Sequence, residues 1–179
     1  MLNAVLEDLE DMMDGDNEIC SVSITEYFND YQHLIDCGYE VYESRKNPRL
    51  IQRKANELHY HNFLEHQLFS HLQEMKYYSD VNIFDTRRLV AVSPDCISMI
   101  QILVRDKIHL MVHFRSSDFD GALPADLEFI SKLPGELIDH LEFFRGKPGY
   151  EEIDIEAIEN LTQMPVELHL SFGSLHRTI

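Results

Sequence analysis

CISMIQILVRDKIHLMVHFRSSD, residues 96–118, decides the fold class. Two apolar runs are joined by Arg105-Asp106-Lys107, a polar turn, and that pattern predicts a β-hairpin. Just upstream, NIFDTRRLVAV (82–92) alternates and is rich in branched residues, so it predicts a further strand. Downstream, residues 124–145 predict a helix interrupted at Leu133-Pro134-Gly135. RGKPGYEE reads as a loop, EIDIEAIENL as a short acidic helix or extended segment, and PVELHLSFGSLHRTI as a last strand.

The first half reads differently. Residues 1–18 hold seven acidic residues and no basic one, with Leu2, Val5, Leu6 and Leu9 at helical spacing. ITEYFNDYQHLIDC (24–37) predicts a helix with Gly38 as its C-cap. Residues 39–49 predict an extended piece and a turn. Residues 50–78 predict a helix broken near His59–His61, with Leu64, Leu68, Phe69, Leu72 and Met75 along one face. Helices, then strands, a helix and a strand describe an α+β protein with a mixed or antiparallel sheet and packed helices. The expected organisation is an acidic leader over 1–20 and one domain over 21–179.

Composition narrows the function. With 179 residues and 44% hydrophobic content the chain can bury a real core. No apolar run approaches the length of a membrane span, and the start lacks the basic character of a signal peptide. Three cysteines, Cys20, Cys37 and Cys96, without CxxC spacing, fit free thiols in a reducing, cytoplasmic setting. A formal charge of −17 repels polymer nucleic acid and anionic membrane. A small anion is still admissible where scarce arginines converge. Arg87-Arg88 and Arg115-Ser116-Ser117-Asp118 are such clusters, and an arginine beside a serine hydroxyl suits a phosphate. Among the ten histidines, His59 and His61, or His66 and His71, lack helical ligand spacing; His109 and His113 alternate on a strand face. No metal site is expected from these spacings.

Four segments in order, DTRRLVAV, PDCISMIQILVRDK, RSSDFDGALPADL and the closing GSLH, resemble the thymidylate synthase family, and within it the deoxycytidylate hydroxymethylase branch. The resemblance covers residues 82–133 and 166–178 and implies a thymidylate synthase-like fold. It implies a pyrimidine-nucleotide one-carbon transferase, or a close nucleotide-binding relative. Cys96, with Gln101 five residues on, falls at the nucleophile whose thiolate adds to C6 of the base; neighbouring arginines would lower its pKa. Arg115 and Ser116 match the phosphate-binding pair. Arg87 and Arg88 match the pair that reaches the phosphate of the other subunit, which implies a homodimer. Asp118 matches the acidic residue that helps hold the base, and His176 the histidine on the sugar hydroxyl. Asp126 matches the position that reads the base, where a carboxylate accepts from the cytosine amino group; helix N-terminal charge is its other reading. The implied partner is a pyrimidine nucleotide monophosphate and the implied donor 5,10-methylenetetrahydrofolate.

Departures from the pattern are equally plain. There is no tryptophan, Glu57-Leu58-His59 only echoes the family's glutamate helix, and His176 runs on to Arg177-Thr178. The chain stops at Ile179 without the tail that closes over folate. These departures favour the alternative of a catalytically degenerate homodimer acting as scaffold, regulator or nucleotide sensor.

Overall fold

The computed structural model of the chain describes residues 1–74, 87 and 89–177. It is an α+β structure built on one mixed sheet. In chain order the described elements are α1 (Leu2–Met12), β1 (Glu18–Phe28), α2 (Tyr31–Ser44), α3 (Pro48–Glu74), β2 (Val90–Val92), β3 (Ile97–Val104), β4 (Ile108–Asp118), α4 (Leu123–Phe144), α5 (Ile155–Gln163) and β5 (Val166–His176). The strand order is β1-β5-β4-β3-β2. All neighbours are antiparallel except β4 and β5, which run parallel. The predicted hairpin is β3–β4, closed where Arg105 N–H donates to the Lys107 carbonyl at 3.0 Å.

Alternation along the strands separates two faces. Ile100, Ile102, Val104, Leu110, Val112, Phe114, Leu168, Leu170 and Phe172 are buried in one core with the apolar faces of the helices. The alternate residues Met99, Leu103, Met111, His113 and Ser171 are only half-buried, and Tyr27 is 58% exposed. Among the described elements the helices therefore cover one face of the sheet and leave the other bare. The acidic leader forms α1, and Leu2, Val5, Leu6 and Leu9 are buried in the common core. No helix of the described residues is long and apolar enough to cross a membrane.

Five local readings need correction. Residues 24–28 belong to β1, not to a helix. Val22 and Phe28 point inward while Ser23, Thr25 and Tyr27 point outward, the period of a strand. The helix starts only at Tyr31, where the Asp30 carboxylate accepts from His33 N–H at 2.8 Å. Gly38 is no cap: it lies inside α2, and residues 39–44 continue the helix. A Cβ at Gly38 would collide with the Ser131 hydroxyl of α4, so glycine is there for close helix approach. Helix α3 runs unbroken through His59–His61, and α4 runs through Pro134, held by buried Leu133, Leu137 and Leu141. Of the strand expected over 82–92, Val90–Val92 is observed; the rest lies largely outside the described residues.

Helices α3 and α4 are joined by an ion pair on the buried Glu128 carboxylate. Lys54 bonds Glu128, and Lys132 Nζ lies 3.1 Å from its other oxygen. Burial pushes the Glu128 carboxyl up, but its lysine partners outweigh that and hold it below the ordinary 4.5. A depressed folded-state value stabilises above pH 4.5 and loses that contribution as pH falls through the folded value. Glu128→Gln is therefore expected to cost about 1–2 kcal/mol at neutral pH, the half-exposed lysines limiting the effect. Thermal melts of both proteins down the acid range should show the gap closing below pH 4.5. A gap that stayed constant across that range would count against the ion pair.

Candidate functional site

Asn47 and Pro48 start α3 at a defined angle. The Asn47 side chain accepts from Leu50 N–H at 2.9 Å, and proline takes the first turn, where its missing N–H costs nothing. From that start, Arg49, Arg53, Asn56 and Tyr60 recur at intervals of three and four and share one face of α3. That face meets the end of the sheet where β3 begins and β4 finishes. Tyr60 takes the Ile97 N–H on its hydroxyl oxygen, and Arg49 pairs with Asp118. Arg53 Nη2 lies 3.7 Å from Cys96 Sγ.

Arg53, Asn56, His59, Tyr60, Asp95 and Cys96 line a cavity of about 300 Å³. It is small, at the low end of the roughly 300–1,000 Å³ of ligand pockets. It nonetheless holds a thiol, a guanidinium, an imidazole, a phenol, an amide and a carboxylate. A larger cavity of about 730 Å³ lies over residues 145–156. Its Arg145 is paired with Glu142 and its Lys147 packs on the Phe143 ring, and its lining holds no thiol. Chemistry therefore favours the smaller one.

The strand ends bring most of the sequence-predicted residues to this end of the sheet. Arg115 N–H donates to the Cys96 carbonyl at 2.8 Å, so the two residues sit level on adjacent strands, with Arg115 exposed. Ser116 is in register with Ser174, and Asp118 with His176. Gly173 permits this pairing, since a Cβ there would lie 2.6 Å from the Arg115 carbonyl oxygen. Arg177 bonds Glu10 and stacks on the Phe119 ring, which ties α1 to the same end. On the sheet edge, the carbonyl of exposed Arg87 accepts from Gln101 Nε2 at 3.1 Å. Arg88 lies outside the described residues.

Asp126 is placed differently. It occupies the first turn of α4 but is fully buried, neither a solvent-facing cap nor part of the cavity lining. Its Oδ1 lies 2.8 Å from His61 Nε2, and the His61 ring stacks on Phe129 at 4.2 Å. Oδ2 has no hydrogen-bond partner among the described residues. Burial pushes the Asp126 carboxyl up, against the hydrogen bond and charge of His61 and the charge of Arg53. Arg53 thus acts on both Cys96 and Asp126. Sequence reasoning missed Arg49, Arg53, Tyr60 and His61, because nothing in a helix marks which strand end it will face. The spacing of Arg49, Arg53, Asn56 and Tyr60 was the available signal.

No family model matches the chain, and no curated protein matches it either.

Proposed function

We propose that this chain is a thymidylate synthase-type protein that binds a pyrimidine nucleotide monophosphate and adds Cys96 to C6 of the base. The observation that carries the reading is Arg53 beside the Cys96 sulfur in a cavity at the start of β3; Arg115, Ser116, Asp118 and His176 lie at the same end of the sheet but outside the cavity lining. A guanidinium favours the thiolate, the form that attacks. In the reaction Sγ bonds to C6, the C5–C6 π pair moves onto C5, and C5 takes a proton from water. Loss of the original C5 proton and expulsion of the thiolate regenerate the base. Nothing is oxidised or reduced, and the net result is exchange of the C5 hydrogen.

Arg115 and Ser116 hold the phosphate in this reading, and His176 the sugar. The resemblance also implies 5,10-methylenetetrahydrofolate, but a cavity of about 300 Å³ does not take a pterin conjugate beside a nucleotide. The exchange needs only the nucleotide and water. The bare sheet face supports a homodimer packed through that face; the reach of Arg87 and Arg88 to the partner's phosphate is what the resemblance implies for such a dimer. Sedimentation at micromolar concentration should then report a dimer; a monomer would remove the cross-subunit role.

Calorimetric titration with deoxycytidylate and deoxyuridylate tests the binding. Arg115→Ala should weaken affinity about tenfold to a hundredfold, the loss of one charge-assisted contact, without lowering the melting temperature. Equal binding by Arg115→Ala, or loss of the fold, would sink the phosphate role. One observation favours a non-catalytic nucleotide sensor: Asp118 and Asp126 are engaged by Arg49 and His61 within the chain. That second reading expects nucleotide binding without C5 exchange.

A further inference from the structure

We infer that His109, Glu167 and His169 form a binding site for a divalent transition metal, zinc(II) in the first instance, on the bare face of the sheet. His109 and Glu167 are register partners on parallel strands β4 and β5. His169, two residues beyond Glu167, points to the same side. His169 Nε2 lies 3.1 Å from Glu167 Oε1, and His109 Nδ1 lies 3.8 Å from Glu167 Oε2. One ligand atom from each residue falls within 4.8 Å of the other two. Around tetrahedral zinc, with bonds of about 2.0–2.1 Å, ligand atoms stand about 3.4 Å apart, so a side-chain rotation closes the set.

The surroundings of one imidazole point the same way independently. Thr25 Oγ1 lies 3.2 Å from His169 Nδ1, and Asp106 Oδ1 lies 3.9 Å from His109 Nε2. His169 thus turns its outer nitrogen to a hydroxyl within hydrogen-bond reach and its inner nitrogen to Glu167, the arrangement that orients a histidine ligand; the Asp106 carboxylate at 3.9 Å is beyond hydrogen-bond distance of His109. Two imidazoles and one carboxylate suit zinc, cobalt or iron better than magnesium or calcium. Three protein ligands leave a fourth position for water.

Lys107 is the competitor. Its Nζ lies 2.6 Å from Glu167 Oε2, neutralising the carboxylate that the metal would take. The cluster sits about 20 Å from the Cys96 level, six residues along β4, and stands whether or not the chain binds a nucleotide. Sequence spacing could not reveal it, because the two histidines meet only through the β4–β5 register.

The test is titration of the full chain with zinc(II) by calorimetry and with cobalt(II) by its visible d–d absorption. One equivalent per chain is expected, with the intensity of four-coordinate cobalt. His109→Ala, His169→Ala and Glu167→Gln should each weaken binding at least about a hundredfold. Thr25→Val should weaken it about tenfold to a hundredfold. Lys107→Met should tighten it, an effect that a purely structural Lys107–Glu167 pair does not produce. Circular dichroism of each variant confirms that it is folded. No zinc binding by the native chain, or unchanged binding in both histidine variants, overturns the site.

Discussion

Asp126→Ala is expected to destabilise the protein by about 2–3 kcal/mol, the cost of removing one partner of a fully buried hydrogen bond. The carboxylate is fully buried and its sole hydrogen-bond partner among the described residues is His61, 65 positions earlier in the chain. Removing it takes the 2.8 Å contact away from His61, whose ring stays stacked on Phe129. Asp126→Asn is the informative companion. The amide keeps the contact with His61 and avoids burying a charge, so the fold should survive with a loss of about 1 kcal/mol or a small gain. Denaturant melts of Asp126→Ala, His61→Ala and the double variant give the coupling directly. If Asp126→Ala lost less than about 1 kcal/mol, the pair would not be holding α3 to α4. Nucleotide titration of folded Asp126→Asn then asks the base-reading question separately. A changed preference between deoxycytidylate and deoxyuridylate would give Asp126 the role that the resemblance implies; an unchanged one would leave it with His61 alone.

Gly38→Val should be the other severe change. A side chain at residue 38 must displace Ser131, and the Leu127 carbonyl lies 3.4 Å from the new Cβ, so the interface of α2 and α4 has to open. Overpacking of this kind costs about 1–3 kcal/mol for a few added atoms, and backbone on one side leaves little room to yield. Gly38→Ala should destabilise less. It should be partly rescued by Ser131→Gly, which removes both atoms nearest the new Cβ. Urea melts of the four proteins in that cycle decide the matter. Additive effects would mean that the two positions do not press on one another.

The hairpin was readable because apolar runs around Arg105-Asp106-Lys107 admit one local solution. The last strand and the helix over 124–145 were readable for similar reasons. β1 was not, because Ile24, Tyr27 and Phe28 also satisfy a helical period up to the Asp30 cap. Gly38 looked like a stop signal, whereas tertiary contact with Ser131 places it mid-helix. Cys96 and Arg115 were legible as candidates because they sit in the hairpin. Arg53 and His61 were not, since a partner about 40–65 residues away leaves no periodic trace. In sequence Asp126 fits either a base reader or a helix-end charge. Its contact with His61 depends on how α3 crosses α4, which no local pattern specifies.

The most direct test of the proposed chemistry follows tritium release into water from [5-³H]deoxycytidylate and [5-³H]deoxyuridylate. The native protein and Cys96→Ser are compared, and folate is omitted. Release by the native protein with at least one of the two nucleotides, abolished in folded Cys96→Ser and reduced in Arg53→Ala, is the expected result. Release that persisted in Cys96→Ser would contradict the nucleophile. Binding of nucleotide with no release by the native protein would leave a sensor in place of an enzyme.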